Sequence, residues 1–290
     1  MIRVILQGGL GNQMFEFAAG FSLANRMQTR LVLDTSMFEV YGKRAWCRPF
    51  ELDVFELAKG ACIESKRKLA VRVLPKVSSF CRQHNKPAFG RWIFEATNWE
   101  QMHSVNYELF GYFANYHLFE ENRELLLKAF AFKTKPNKKN TEILSAIDSC
   151  ESVSVHIRRG DYLNSTNNNI FYHPSVEWYR KGMKEIEKRV LQPTYYFFSD
   201  DMEWVRAQFA DIRNAVFVDI NHGKDAYNDM RLMSRCKHNI VANSSFSWWS
   251  AWLNENPEKI VVAPAKYYMD ETKTKKYLSQ MIPAGWITKE

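Results

Sequence analysis

The sequence predicts an α/β fold built on parallel sheets. Short apolar runs rich in Val, Ile, Phe and Tyr alternate with longer segments whose apolar residues recur at helical spacing. Strands that alternate with helices are typical of parallel sheets covered by helices on both faces. With 290 residues, of which 46% are hydrophobic, the chain is long enough for one large or two modest domains.

The predicted elements begin with a strand, a glycine-rich turn at 7–12, a helix and a second strand, which together form a β-turn-α-β unit. The predicted strands cover residues 3–6, 31–34, 153–157, 195–199, 215–218, 239–242 and 259–263. The predicted helices cover residues 13–26, about 120–132, 175–189, 202–209 and 246–254. The polar segment 133–140 is the best linker candidate, although a surface loop would have the same composition.

Composition and charge narrow the range of partners. Forty basic and 32 acidic residues give a net charge of +8, which suits nucleotides, acidic glycans or a membrane surface. The basic residues are scattered and no recognition motif accompanies them, so we do not expect nucleic-acid binding. The five cysteines are widely spaced and include no C-x-x-C pair, which favours reduced thiols over disulfides or a zinc site. We also expect no secretory leader and no membrane span, and therefore a cytoplasmic protein.

The segment 153–161 ends a predicted strand in His156, Arg158, Arg159 and Asp161. Ligands of open α/β sheets bind beyond the carboxyl ends of the strands. Arginine grips phosphate oxygens with two parallel bonds, so paired guanidinium groups at this position predict an anion site. The alternative is a surface ion pair between one of the arginines and Asp161, which would contribute little to stability.

A second polar group, Ser199, Asp200 and Asp201, follows the next predicted strand. A carboxylate there can accept the N–H donors of a guanine edge or ribose hydroxyls, or it can cap the helix that begins at residue 202. Both roles can hold, one for each aspartate. Successive strand residues point to opposite faces and rarely chelate one ion, so we predict no metal.

A third group, Asn243, Ser244, Ser245 and Phe246, lies at a predicted strand-to-helix junction. The unsatisfied N–H groups of a helix N-terminus make such a junction a ready diphosphate site, although either serine can simply be an N-cap. Aromatic residues at 248, 249 and 252 cannot all face one ligand, so we expect them to pack in the core.

The glycine-rich turn at 8–13 imitates a dinucleotide fingerprint. Met14 occupies the third glycine position, which argues against a tight turn over a pyrophosphate. We expect instead a backbone brought close to a substrate, with the Asn12 and Gln13 amides able to bond a sugar hydroxyl.

The four segments, in this order, resemble the α-1,2-fucosyltransferases of glycosyltransferase family 11. The segment Gly8 to Phe15 matches the family's G-G-L-G-N-Q-M-F, and His156 to Asp161 its H-x-R-R-x-D. The other matching segments are 197–201 and 225–253. The resemblance implies a GT-B-like architecture of two Rossmann-like domains with parallel sheets, an acceptor domain at 1–140 and a GDP-fucose domain at 141–290. It further implies inversion at the anomeric carbon, with no metal and no cofactor besides the donor substrate.

The resemblance also assigns roles to residues. Arg158 would hold the β-phosphate, and His156 with one of the two aspartates would address guanine or ribose. The implied donor set is His156, Arg158, Arg159, Ser199, Asp200, Asp201, Asn243, Ser244, Ser245 and Phe246. The implied fucose and acceptor set is Gly9, Leu10, Gly11, Asn12, Gln13, Tyr112 and His117. The implied catalytic set is Arg158, Asp161 and Glu16.

The acceptor hydroxyl needs a base or a hydrogen-bond acceptor, and the chemical candidates are Glu16, Asp161, His117 and Asp34. Some related fucosyltransferases have no obvious base, so none of the four is favoured. Glu16 stands where the family usually has glutamine, and the segment 112–117 also departs from the family pattern. These departures bear on the acceptor and leave the donor prediction intact.

The function implied is transfer of L-fucose to the 2-hydroxyl of a terminal β-galactoside, on an oligosaccharide or a lipid-linked surface glycan such as O-antigen. The basic surface would then favour peripheral contact with the anionic inner face of a bacterial membrane. One alternative is the same scaffold with another GDP-sugar or linkage. The other is a non-catalytic glycan- or nucleotide-binding protein, which would not need Arg158 and Ser244.

Overall fold

The computed structural model describes residues 1–44, 48–57, 61–160 and 170–290. The chain divides into two units, Met1–Lys133 and Thr134–Glu290, and each contains a six-stranded sheet. The predicted boundary at residue 140 falls inside a helix at Lys138–Asp148, and the division precedes that helix. Asp161 and Cys47 lie outside the described residues.

Unit 1 carries one sheet and its covering helices. The strands are β1 (Ile2–Ile5), β2 (Leu31–Asp34), β3 (Cys62–Glu64), β4 (Ala88–Phe89), β5 (Trp92–Ile93) and β6 (Tyr107–Leu109). The helices are α1 (Leu10–Arg26), α2 (Ser36–Tyr41), α3 (Ala70–Gln83) and α4 (Arg123–Ala129). The strand order is β3-β2-β1-β6-β5-β4, and the pairs are parallel except that β4 is antiparallel to β5.

Helix α1 packs directly on the sheet of unit 1. All four residues of β1 are buried, as are Met14, Phe15 and Phe17 on the helix. A Cβ at Gly20 would collide with a side-chain methyl of Val4. The close helix-to-strand approach that a dinucleotide fingerprint assigns to its third glycine is therefore made here by Gly20.

Helix α1 begins at Leu10, three residues before the predicted start. Gly9 is extended at the N-cap, with φ −87° and ψ 178°, and its carbonyl accepts hydrogen bonds from the N–H groups of Asn12 and Gln13. The observed turn is thus shorter than the predicted one, and Gly11, Asn12 and Gln13 belong to the first turn of the helix.

Unit 2 repeats the α/β pattern. Its strands are β7 (Ser152–Ile157), β8 (Thr194–Ser199), β9 (Ala215–Phe217), β10 (His238–Ile240), β11 (Val261–Pro264) and β12 (Ile287–Lys289). Its helices are α5 (Lys138–Asp148), α6 (Val176–Glu187), α7 (Met202–Phe209), α8 (Tyr227–Arg235), α9 (Ser245–Leu253) and α10 (Glu271–Met281). All five strand pairs in the order β12-β11-β10-β7-β8-β9 are parallel. The predicted α/β class with parallel sheets is confirmed.

Both sheets change direction next to their first strand. In unit 1 the chain runs outward from β1 to β2 and β3, then crosses to β4 at the opposite edge and returns through β5 to β6, which lies on the other side of β1. In unit 2 it runs from β7 to β8 and β9, and then crosses to β10. The crevice beyond the carboxyl ends of β1 and β6, and likewise of β7 and β10, is where such sheets bind ligands.

The tryptophans of α9 lie in the core, as predicted. Trp248, Trp249 and Trp252 are 4%, 0% and 5% exposed. Their rings contact one another, with centroids 5.0 to 6.3 Å apart. They anchor α9 against the sheet, which fixes the position of its N-terminus.

Candidate functional site

The ends of β7 and β8 bring the first two predicted groups together. Ile157 is in register with Ser199, so the residues that follow the two strands are neighbours. The Arg158 guanidinium lies 2.9 Å from the Asp200 carboxylate, and the backbone N–H of Arg159 donates to the other Asp200 oxygen. A Cβ at Gly160 would collide with that carboxylate, so glycine is needed for this close approach.

Arg159 and Asp201 form a second pair directed at helix α7. Arg159 Nε donates to Asp201 Oδ2 over 2.9 Å, and its guanidinium lies 3.7 Å from the centre of the Trp204 ring. Asp201 Oδ1 accepts from the Trp204 backbone N–H and caps the helix. Ser199 Oγ in turn accepts from the N–H of Asp201. The two aspartates therefore differ, because Asp201 caps a helix while Asp200 holds Arg158.

His156 is buried beside this pair. It is 7% exposed, and its ring centre lies 5.9 Å from that of Phe246. Burial lowers the pKa of His156 to about 4, against the opposing charge of Asp200. Among the described residues, no group hydrogen-bonds its Nδ1. His156 is therefore neutral at physiological pH and offers a ring nitrogen, not a charge.

The third group lies at the start of α9, beyond the carboxyl end of β10. Ser244 Oγ accepts from the Phe246 N–H and is the N-cap of the helix. Ser245 is the first helical residue. Asn243 is 2% exposed and donates to the carbonyls of Tyr172 and Tyr267. Asn243 thus ties the strand end to two loops, and the serines and the first amides of α9 are the groups at the crevice.

A small aromatic cavity adjoins Ser244. It is lined by Trp248 and Trp286 and by the stacked rings of Tyr267 and Tyr277. Sequence reasoning missed this cavity because its walls come from β11, α10 and the chain end. The tyrosine pair that follows β11, Tyr267 and Tyr268, is the feature of the sequence that could have indicated an aromatic cavity here.

In unit 1, the turn after β1 and the loop after β6 meet. Gly8 has φ +72°, a left-handed conformation that favours glycine. A Cβ at this position would lie 2.8 Å from the Asn12 amide and 3.3 Å from the Tyr112 ring. Tyr112 is half exposed. The structure therefore brings together Gly8, Asn12 and Tyr112, while Leu10 and Gly11 are buried and Gly9 is partly exposed.

The predicted sugar contact from Gln13 is not supported by the structure. Gln13 is fully buried, and its Nε2 donates to the carbonyls of Gly8 and Pro49 over 2.8 Å. Its Oε1 accepts from the N–H of Glu51. Because both amide hydrogens and the carbonyl oxygen are used, Gln13 clamps the turn to the segment around residue 50.

The candidates for the catalytic base differ in how deeply their side chains are buried. Glu16 is fully buried, its Oε2 accepts from the Gln7 N–H over 2.9 Å, and burial raises its pKa well above 4.5. Asp34 is also fully buried and pairs with Arg3 at 3.0 Å. Both carboxyls are therefore shut off from solvent in this structure, and the catalytic role expected of Glu16 stays a prediction. His117 is on the surface, where its Nδ1 lies 3.0 Å from Glu120.

Comparison with known proteins gives a consistent family. Residues 71–290 match the model described as glycosyl transferase family 11. The O-antigen biosynthesis glycosyltransferase WbnK of Escherichia coli is 32% identical over 93% of this chain and 96% of that protein. An alpha-1,2-colitosyltransferase of the same species is 30% identical over 92% of each chain.

Solved structures give the same fold at lower sequence identity. The fucosyltransferase NodZ from Bradyrhizobium superposes with a TM-score of 0.54 at 13% identity, over 86% of this chain and 92% of that one. POFUT1 in complex with GDP gives 0.53 at 11% identity, over 90% and 97%. These likenesses confirm the GT-B-type fold.

Proposed function

The chain belongs to glycosyltransferase family 11, and we propose that it transfers L-fucose from GDP-fucose to the 2-hydroxyl of a terminal β-galactoside. The observation that carries this proposal is the crevice beyond β7 and β10 in unit 2. Arg158 and the N-terminus of α9 flank it, and both bind phosphate oxygens well. NodZ, which shares the fold, has been studied with GDP-fucose and with GDP.

The reaction is an inverting displacement in this proposal. The acceptor oxygen forms a bond to the anomeric carbon of fucose, and the bond from that carbon to the β-phosphate oxygen breaks. GDP leaves with the electron pair, so negative charge builds on its terminal phosphate. The Arg158 guanidinium, held in place by Asp200, and the amides of α9 are positioned beforehand and stabilise that charge as the bond breaks.

Neutral His156 and the partly exposed Asp200 serve the nucleoside in this scheme. Because His156 carries no charge at physiological pH, it would recognise guanine or ribose through a hydrogen bond. Arginine supplies the positive charge that a metal would otherwise supply, which supports transfer without a metal or a further cofactor. The hydroxyl proton goes to a carboxylate outside the described residues or to solvent, and Asp161 remains the candidate.

The acceptor is proposed to be bound by unit 1 at the meeting point of Gly8, Asn12 and Tyr112. The O-antigen relative supports a surface glycan as its class, and we propose one that is galactose-terminated and lipid-linked. A cytoplasmic protein with peripheral contact to the inner membrane face would meet such an acceptor where it is assembled.

The colitosyltransferase relative favours a second donor. Colitose is fucose without its 3-hydroxyl, so the two GDP-sugars differ by one polar group. A site built to hydrogen-bond that hydroxyl rejects the deoxy sugar strongly, whereas a site without such a partner discriminates weakly. Donor identity therefore depends on whether a protein group faces the 3-hydroxyl.

The test begins with calorimetric binding of GDP, UDP and NAD to the purified chain in the presence of a chelator. We expect GDP alone to bind. GDP-fucose and a GDP-activated colitose are then each offered with β-galactosides, and the product linkage is determined. NAD binding or metal-dependent UDP binding would overturn the proposal. GDP binding without transfer would favour a non-catalytic nucleotide-binding protein.

A further inference from the structure

The exposed side of helix α3 in unit 1 carries apolar residues that the fold does not use. Leu69, Val73 and Phe80 are 77%, 52% and 55% exposed. At 100° per residue they lie within about 40° of one another around the helix axis and form a single stripe. The opposite side packs in the core through Val71 and Leu74. Helix α3 is therefore apolar on two sides, and only one of them is covered.

The segment of chain that carries this stripe contains basic but no acidic residues, and Lys66, Arg67, Lys68 and Arg91 pair with carboxylates outside it. From residue 65 to residue 91 the chain has no aspartate or glutamate. The basic residues of this segment are Lys66, Arg67, Lys68, Arg72, Lys76, Arg82, Lys86 and Arg91. Arg72 and Lys76 are exposed and lie along one side of the stripe, and no carboxylate of the described residues pairs with either. Exposed apolar side chains beside unpaired cations are typical of helices that lie on anionic lipid.

We propose that the exposed face of α3, made by Leu69, Val73, Phe80, Arg72 and Lys76, docks on the surface of an anionic phospholipid bilayer. The three apolar side chains enter the headgroup region, and the two cations bind lipid phosphates. A second copy of the chain is a poor occupant because the two faces would carry like charges. No helix among the described residues is long and apolar enough to cross a membrane, so the contact is peripheral.

The position of α3 suits a membrane-bound acceptor. Burial and the charge of Glu16 raise the pKa of Tyr112, and the charge of Arg82, near the end of the helix, opposes that rise, so Arg82 and Tyr112 lie within electrostatic range of each other. Tyr112 belongs to the meeting point of β1 and β6 that we assign to the acceptor. Docking through α3 would hold this part of unit 1 close to the bilayer surface. The inference names the surface that would make the membrane contact proposed above. Only the statement that docking brings the acceptor site close to the bilayer rests on the proposed function.

The test is co-sedimentation of the full chain with lipid vesicles, without donor or acceptor. We expect binding to phosphatidylcholine vesicles that contain about one third phosphatidylglycerol, and little binding to phosphatidylcholine alone. Arg72→Ala and Lys76→Ala should each lower the partition coefficient about fivefold. Val73→Ser with Phe80→Ser should lower it roughly tenfold or more. Salt should weaken binding by the unmodified chain.

Matched controls lie outside the face. Leu191 is 86% exposed in unit 2, and Lys273 and Lys275 are exposed on α10. Leu191→Ser and the double variant Lys273→Ala/Lys275→Ala should bind vesicles as the unmodified chain does. Unchanged melting temperature and GDP binding in every variant would show that the fold is intact.

Three results would overturn the proposal. The first is no binding to anionic vesicles, which leaves the transferase proposal standing. The second is equal loss in the control variants. The third is binding to a single-stranded RNA with an affinity equal to that for vesicles, if that binding depends on Arg72 and Lys76 but not on the apolar stripe. That result would assign the face to a polyanion.

Discussion

Replacement of Arg158 by alanine tests the donor site most directly, because Arg159 beside it serves as a matched control. The two side chains are similarly buried, 26% and 24% exposed, and each pairs with one aspartate at 2.9 Å. The two arginines differ in the surroundings of their guanidinium groups. Arg158 follows β7, whose carboxyl end borders the crevice shared with β10, whereas Arg159 stacks on Trp204 at the start of α7.

The expected loss for Arg158→Ala follows from the bonds that a diphosphate would make. A guanidinium has five N–H donors, and one Arg158 nitrogen already faces Asp200. Each charge-assisted bond to phosphate contributes about 1.5–3 kcal/mol. The removal of two such bonds therefore weakens GDP binding by about 3 kcal/mol or more, which is roughly a hundredfold or more. The Asp200 carboxylate, left without its partner, would add repulsion toward the phosphates.

Arg159→Ala should change stability and leave binding nearly intact. It removes a partly exposed ion pair and a cation–π contact, which together contribute about 1–2 kcal/mol to folding. The backbone N–H of residue 159 still donates to Asp200 in this variant. We therefore expect a lower melting temperature and at most about a threefold change in GDP affinity.

Both quantities are measured on the same preparations, by calorimetric titration of GDP with a chelator and by thermal unfolding. Arg158→Lys is a useful third variant, because it keeps the charge and loses the two-pronged geometry. If Arg158→Ala binds GDP as well as the unmodified chain, or if Arg159→Ala loses as much affinity, Arg158 is not the phosphate ligand.

Three further substitutions test the architecture of unit 1 by denaturant unfolding. Gln13→Ala leaves three partly buried or exposed backbone groups without their side-chain partner and should cost about 1–3 kcal/mol, and a cost below about 0.5 kcal/mol would contradict the clamp. Gly20→Ala should cost about 1–3 kcal/mol or more through its collision with Val4, and Val4→Ala in the same chain should recover part of the loss. Burial raises the pKa of Glu16 above its ordinary value of 4.5. The protonated carboxyl therefore makes its full contribution to the free energy of unfolding below pH 4.5, and this contribution is lost as the pH rises toward the folded pKa. Glu16→Gln stays neutral and should gain stability relative to the unmodified chain as the pH rises above 4.5, whereas a constant difference would refute the raised pKa.

The sequence predicted unit 2 better than unit 1. Strands β7 and β8 have six residues each, and their apolar pattern is long enough to be read. Strands β3 to β6 have two or three residues, which is too short for any periodicity. Helix α3 is apolar on two sides, so it has no simple one-sided pattern. The early start of α1 depends on the conformation of Gly9, which the prediction placed inside a turn.

The sequence by itself determined that Arg158 and Ser244 follow strands and that Ser244 stands at a helix start, because periodicity and strand direction are properties of neighbouring residues. Only the tertiary structure decided which groups those residues face. Gln13 finds its partners at Pro49 and Glu51, far along the chain, and Glu16 loses its solvent when the core closes around it. Hydrogen-bond partners and burial depend on contacts between distant segments. The chemistry that a polar side chain can perform is therefore fixed only when the fold has chosen its neighbours.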